Sequence, residues 1–129
     1  MATVNVTSET IESLIESNDI VILDFWAEWC GPCKMFGPIF EKVSESHPNA
    51  VFAKVDTEDQ RELAAYFNIR SIPTLMIFRE QIGIFSQPGA LPEDALRDLI
   101  DQAMDLDMEA IRQEIAAGHD HDHDEAHAH

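Results

Sequence analysis

Cysteine is nearly absent from this chain of 129 residues: only Cys30 and Cys33 occur, with two residues between them. A bridge closing so short a loop removes little unfolded-state entropy and contributes little as a structural staple, which points to a chemical purpose for the pair. Basic residues are also scarce, 8 Lys and Arg against 25 Asp and Glu for a net charge of -17. Such a field repels phosphates and anionic headgroups, so neither nucleic acid nor a membrane surface is expected as a partner. Four of the acids, Asp120, Asp122, Asp124 and Glu125, lie near the C-terminus, and the rest of the chain is acidic without them. No apolar run approaches bilayer-spanning length, and Met1 to Val6 lack the basic and apolar regions of a secretory leader. The expectation is therefore a cytoplasmic protein. With 5 Gly, 6 Pro and 45% hydrophobic residues the chain is neither repetitive nor of low complexity, and its length suits one modest core.

Hydrophobic periodicity divides the chain into alternating elements. Val4 to Val6 reads as a short edge strand, and Thr7 or Ser8 can cap a helix with Ile11, Leu14 and Ile15 on one face. Ile20 to Ala27 is an almost unbroken β-branched and aromatic run, as expected for a central strand covered on both sides. From Pro32 to about His47, Met35, Phe36, Ile39, Phe40 and Val43 recur at helical spacing, and Pro38 within the run predicts a kink. Ala50 to Val55 reads as a strand, and Leu63, Ala64 and Phe67 mark a short helix ending near Asn68. The close succession of Thr74 to Phe78 and Ile82 to Phe85 predicts an antiparallel hairpin, after which Pro92, Glu93 and Asp94 open a helix with Leu96, Leu99, Ile100 and Ala103 inward. The order is βαβαβ followed by ββα, which predicts an α/β fold: a mixed central sheet of four to five strands with helices on both faces. Met108, Ile111 and Ile115 resume the helical period as far as Gly118, read as a stop.

The cysteines fall where a strand gives way to a helix. There the unpaired helix amides and the macrodipole favour a thiolate on Cys30, the predicted nucleophile. Three positions on, Cys33 lies alongside in the first turn and can attack a mixed disulfide, making it the predicted resolving thiol. Gly31 allows the tight turn, and Pro32 suits the first helical position. Asp24 interrupts the apolar strand; buried alone it should have a raised pKa and could take the Cys33 proton directly or through a water, whereas on a half-exposed strand it would merely face solvent. Lys54 can pair with Asp24 if their strands are neighbours. Trp29 beside Cys30 serves either as a platform for a client protein or as packing. Pro73 fits the first residue of a strand.

Asp24-Phe25-Trp26-Ala27-Glu28-Trp29-Cys30-Gly31-Pro32-Cys33-Lys34 closely resembles the thioredoxin family, and the run is far more specific than an isolated CxxC, which could equally be half of a zinc site. Pro38 falls where thioredoxins carry a helix-kinking proline and Lys54 where they carry a lysine beside a buried aspartate. Ile72-Pro73-Thr74 is similar to their cis-proline loop, and Gly89-Ala90 to the loop opposite. The resemblance implies the thioredoxin fold over residues 1–104, a cis Pro73, and Ile72 backbone binding an extended client segment, with Trp29, Gly31, Pro32, Ile72, Pro73 and Gly89 around an exposed sulfur. It implies a protein-disulfide reductase that binds no cofactor, works through a Cys30–Cys33 disulfide, acts as a monomer, and is recharged by NADPH-dependent thioredoxin reductase. Ser71 stands where many members have Gly. Glu80-Gln81 replaces the usual Asn-Gly hairpin turn, which should change that turn's type.

Residues 105–118 are expected to form an extra helix and 119–129 a disordered tail, neither with a counterpart in ordinary thioredoxin. His119, His121, His123, His127 and His129 with the interleaved acids make a loose ligand set suited to Zn, Ni or Cu, to be weighed against a solubilising role. Two rival readings stand beside the reductase. One is a binding module or chaperone that holds clients near Trp29, Ile72 and Phe36; the other is a metal-delivery protein using the body as a carrier.

Overall fold

The computed structural model describes residues 2–128, with side chains described as far as residue 118. Among these residues the strands are β1 (Thr3–Asn5), β2 (Ile20–Trp26), β3 (Val51–Asp56), β4 (Thr74–Arg79) and β5 (Ile82–Pro88). The helices are α1 (Ile11–Ser17), α2 (Gly31–Glu45), α3 (Arg61–Tyr66), α4 (Glu93–Met104) and α5 (Met108–Ala128). The five strands form one sheet in the order β1-β3-β2-β4-β5. Helical crossovers make β1, β3 and β2 parallel, and the hairpin makes β4 and β5 antiparallel additions, so the sheet is mixed as the element order predicts. β2 lies at its centre, which explains why its sequence shows so little alternation.

Each face of the sheet has its own core. Ile20, Ile22, Phe52, Leu75 and Ile77 meet Phe36, Phe40 and Val43 of α2 and Leu96 and Ile100 of α4. On the other face Val21, Leu23, Phe25, Ala53 and Val55 meet Ile11 of α1 and Leu63 of α3. Phe25, Phe36, Phe40 and Phe52 are fully enclosed, each contributing about 1.5–3 kcal/mol by burial. Met35, which the helical period groups with this inner face, instead points outward and is 74% exposed. It sits at the edge of the apolar stripe, where periodicity does not distinguish core from rim.

Two features depart from what the sequence alone suggests. Arg79 is buried at the end of β4, and its guanidinium donates to the carbonyls of Ala103 (2.6 Å) and Met104 (3.1 Å), capping the C-terminal end of α4. The Arg79→Met variant leaves those carbonyls without their charged donor. Its urea midpoint should fall by the equivalent of about 3 kcal/mol, with disulfide exchange by the folded protein unchanged. The second is the hairpin turn. Glu80 and Gln81 both have positive φ, 49° and 72°, so the two-residue loop keeps the backbone of a primed turn and the expected change of type does not occur. Strand twist demands that geometry, and the Glu80 amide donating to Asp19 O at 2.7 Å and the Glu80 carboxylate beside Arg79 and Arg112 help hold non-glycine residues in it.

Gly118 does not end the last helix, since α5 continues to Ala128. One glycine costs about 1 kcal/mol relative to alanine, and without a breaking residue behind it the helical backbone carries on. The side chains of the five tail histidines lie outside the described residues.

Candidate active site

The site is assembled at the end of β2. After Trp26 the chain turns at Ala27, whose carbonyl accepts from the Cys30 amide at 3.2 Å, and Cys30 becomes the N-cap of the 15-residue helix α2. Pro32 occupies the opening of that helix, where its missing amide costs no hydrogen bond. Cys30 and Cys33 are joined by a disulfide, with Cα atoms 5.2 Å apart. The Cys33 amide donates to Cys30 Sγ at 3.2 Å, so the first sulfur receives both a specific hydrogen bond and the positive end of the helix.

Backbone from the second half of the chain closes over the pair. The Ile72–Pro73 bond is cis, and Ile72 O lies 3.7 Å from Cys30 Sγ. Gly89, at φ 106°, donates its amide to Pro73 O at 2.8 Å and so ties the neighbouring loop to the cis-proline segment. Only glycine adopts that φ without strain. Ile72 and Trp26 pack against the cluster of Ala27, Cys30 and Cys33. Both cysteines are only 4% exposed, so the sulfur expected to be open lies just under the surface, with Ile72 and Trp26 packed against the pair. Gly31, Pro32 and Gly89 are exposed around it, while Pro73 itself is buried.

Trp29 is 69% exposed and thus available for contact rather than packed. Its Nε1 donates to Glu58 Oε1 at 3.2 Å, a tether that sequence reasoning missed, since Glu58 lies in an ordinary polar turn. That segment is itself held by Thr57 N donating to Trp26 O at 2.9 Å and Glu58 N donating to Asp56 Oδ1 at 2.9 Å.

Asp24 lies on the β2 face that packs against α2, two residues beyond Ile22, and is 1% exposed with neither carboxylate oxygen hydrogen-bonded. Burial pushes its pKa from the ordinary 3.8 up to about 7, and the positive charge of Lys54 draws it partly back. Lys54 is its register partner on β3, but no ion pair joins them. The lysine instead places Nζ 4.7 Å from the centroid of the Trp26 ring, beside Gly37 of α2. The structure thus keeps an unpaired buried acid on the central strand that leads to the dithiol, with a cation near enough to act through space. No cluster of three or more metal-binding side chains occurs among the described residues.

A disulfide capping a helix, with a backbone segment set across its sulfur, defines a thiol–disulfide exchange centre, and the protein is an oxidoreductase of that class. Residues 2–102 match the thioredoxin family profile, and the chain belongs to the thioredoxin family. It is 57% identical over 115 residues, 89% of this chain and 86% of the relative, to the protein named "Putative thioredoxin 2" of Streptomyces coelicolor. A match of that length in a chain of 129 must extend at least to residue 115, so the first turns of α5 lie within the shared part. Thioredoxin C-3 of Corynebacterium nephridii is 40% identical over 102 residues, 78% of this chain and 70% of the relative. Among solved structures, a mutant thioredoxin from Halobacterium salinarum aligns with a TM-score of 0.75 at 35% identity, covering 81% of this chain and 92% of that one. Plasmodium falciparum thioredoxin aligns with a TM-score of 0.72 at 35% identity, covering 78% and 97%.

Proposed function

We propose that this chain is a cytoplasmic protein-disulfide reductase, recharged by an NADPH-dependent thioredoxin reductase and acting as a single chain. The observation that carries the reading is the Cys30–Cys33 disulfide at the N-terminus of α2, beside Ile72 O. In the reduced form the Cys30 thiolate attacks a client disulfide: a bond forms between Cys30 and one client sulfur, and the other client sulfur leaves as thiolate. Cys33 then loses its proton to Asp24 and attacks Cys30 Sγ. That step forms the intramolecular disulfide seen here and releases the second client thiol, so two electrons pass from the dithiol to the client. Lys54 acts at a distance, stabilising the ionised Asp24. Ile72 offers its backbone to an extended client segment by strand-like addition, and Trp29, Gly31, Pro32, Pro73 and Gly89 form the surrounding contact surface.

The test is a coupled assay with thioredoxin reductase, NADPH and a disulfide-containing protein. NADPH should be consumed in proportion to client added, and no consumption would remove the assignment. Trp29→Ala deletes an exposed indole from the contact surface and should raise KM for the client about tenfold, with a smaller effect on kcat. The reading of this surface as a docking site fails if KM does not move.

A further inference from the structure

Helices α1 and α3 both pack on the sheet face that carries Val21, Leu23 and Phe25, and they leave a groove of about 650 Å³ between them. Ile11 and Ile15 of α1, Leu63 and Tyr66 of α3, Phe67 and Phe78 of β4 supply its apolar lining. Ser8 lies at one end, where its amide and hydroxyl donate to Gln60 Oε1 at 3.0 and 3.3 Å and tie the entries of the two helices together. Gln81 of the β4–β5 turn lines it as well. Ser8 follows β1 at the dithiol pole of the sheet and Gln81 follows β4 at the opposite pole, so the groove runs along the strands.

Tyr66, the only tyrosine of the chain, is 80% exposed. Phe67 braces its ring edge-on with centroids 5.1 Å apart, and Phe67 in turn meets Phe78 at 5.9 Å and Phe25 of the core at 5.7 Å. An exposed ring that ends a series of packed rings offers contact area at little entropic cost.

Both banks of the groove are acidic. Glu12 and Glu16 stand one helical turn apart on α1, Glu62 stands on α3, and no Lys, Arg or His lines the groove. Among the described residues these three carboxylates enter no ion pair or hydrogen bond, whereas Glu58, Glu80 and Glu93 each pair with a cation. Arg61, the cation next to Glu62, donates Nε to Glu58 O at 3.3 Å instead. The helix macrodipole accounts for acids in a first turn, as with Glu12 and Glu62. Glu16 lies in the last turn of α1, where the same dipole disfavours an anion, so helix stability does not explain it.

We propose that this groove takes a basic amphipathic helix of a partner protein, with apolar residues at i, i+3 and i+4 seated between α1 and α3. Flanking Lys or Arg side chains would meet Glu12 and Glu16 on one bank and Glu62 on the other, and a guanidinium can lie over the Tyr66 ring. An extended segment finds no free backbone here, because β4 is paired on both sides by β2 and β5. A second copy of the chain, at net charge -17, brings the same acids against these and is repelled. The site is independent of the reductase reading: neither Trp29 nor Ile72 lines it, and α2 packs on the other face of the sheet.

The probe is a synthetic peptide of about 18 residues with Leu at i, i+3, i+4 and i+7 and Lys between them, titrated into the oxidised full chain. Two-dimensional NMR should show saturable shifts of the Tyr66 ring and of amides in α1 and α3, with those of Trp29 and Ile72 unmoved. A scrambled peptide of the same composition should bind at least about tenfold more weakly, and raising salt should weaken the native pairing. Tyr66→Ala should cost about tenfold in affinity. The triple Glu12→Gln, Glu16→Gln, Glu62→Gln variant should cost at least as much, whereas Glu45→Gln, Asp98→Asn, Glu114→Gln, with the same net charge, should change affinity less than about twofold. All variants should keep wild-type disulfide turnover, which establishes that they are folded. Equal affinity of the two triple variants, equal binding of the scrambled peptide, shifts confined to Trp29 and Ile72, or self-association of the free chain through Tyr66 would each overturn the proposal.

Discussion

Cys30→Ser lowers turnover of protein disulfides at least about a thousandfold, to the uncatalysed background, whereas Cys33→Ser blocks the reaction one step later. The difference follows from the geometry. Cys30 caps α2, receives the Cys33 amide on its sulfur, and faces Ile72 O, so it alone has both the electrostatic support and the neighbouring backbone that an incoming client needs. A serine hydroxyl there forms no disulfide, and no covalent complex should be seen by non-reducing electrophoresis. In Cys33→Ser, Cys30 still attacks, but nothing displaces the client. A mixed disulfide should accumulate stoichiometrically and dissolve on adding dithiothreitol. Turnover by Cys30→Ser at a wild-type rate would show that the two sulfurs play other roles, and a trapped complex in Cys30→Ser but not Cys33→Ser would reverse them.

Asp24→Asn stabilises the protein at pH 8 by about 4 kcal/mol, and the gain disappears towards pH 4. The carboxyl titrates at about 7 in the fold against an ordinary 3.8, because burial penalises its charged form more than Lys54 relieves it. Between those values the native state holds a proton that the unfolded chain has released. Stability is therefore fully present below the unfolded pKa and falls by as much as about 1.4 kcal/mol per pH unit as pH rises, levelling off above about 7. Asparagine carries no such ionisation, so the two unfolding free energies should converge at low pH and diverge at high pH. Parallel curves would show that Asp24 is not the group responsible. The same variant should resolve mixed disulfides more slowly, and the rise of the resolution rate through pH 7 should flatten. In the proposed mechanism, the carboxylate that weakens the fold at neutral pH is the one that accepts the Cys33 proton.

The hydrophobic pattern made the architecture legible wherever burial had one cause. The apolar run of β2 could only be a strand covered on both faces, and the spacing of Phe36, Phe40 and Val43 could only be the inner stripe of a helix. The chemistry was legible because two cysteines without a staple's loop length stood at a strand–helix junction. What escaped depended on contacts between distant residues. Arg79 reads as a surface cation until α4 is seen to end against it, and Glu58 as a turn residue until the Trp29 indole reaches it. The sequence allows Lys54 to pair with Asp24 if their strands are neighbours, and the register does place them side by side, but only side-chain geometry shows the ammonium on the Trp26 ring instead. The Glu80-Gln81 turn misled for a related reason: local preference argued for another turn type, while strand twist and contacts with Asp19, Arg79 and Arg112 outweighed it.

The packing of Ile72 and Trp26 against the two cysteines has a kinetic consequence. With each cysteine only 4% exposed, a reactant arriving by random collision meets little open sulfur surface. A polypeptide that lays its backbone along the cis-proline segment carries its own sulfur past that barrier. On the proposed function, access to the sulfurs therefore favours clients able to dock along that segment.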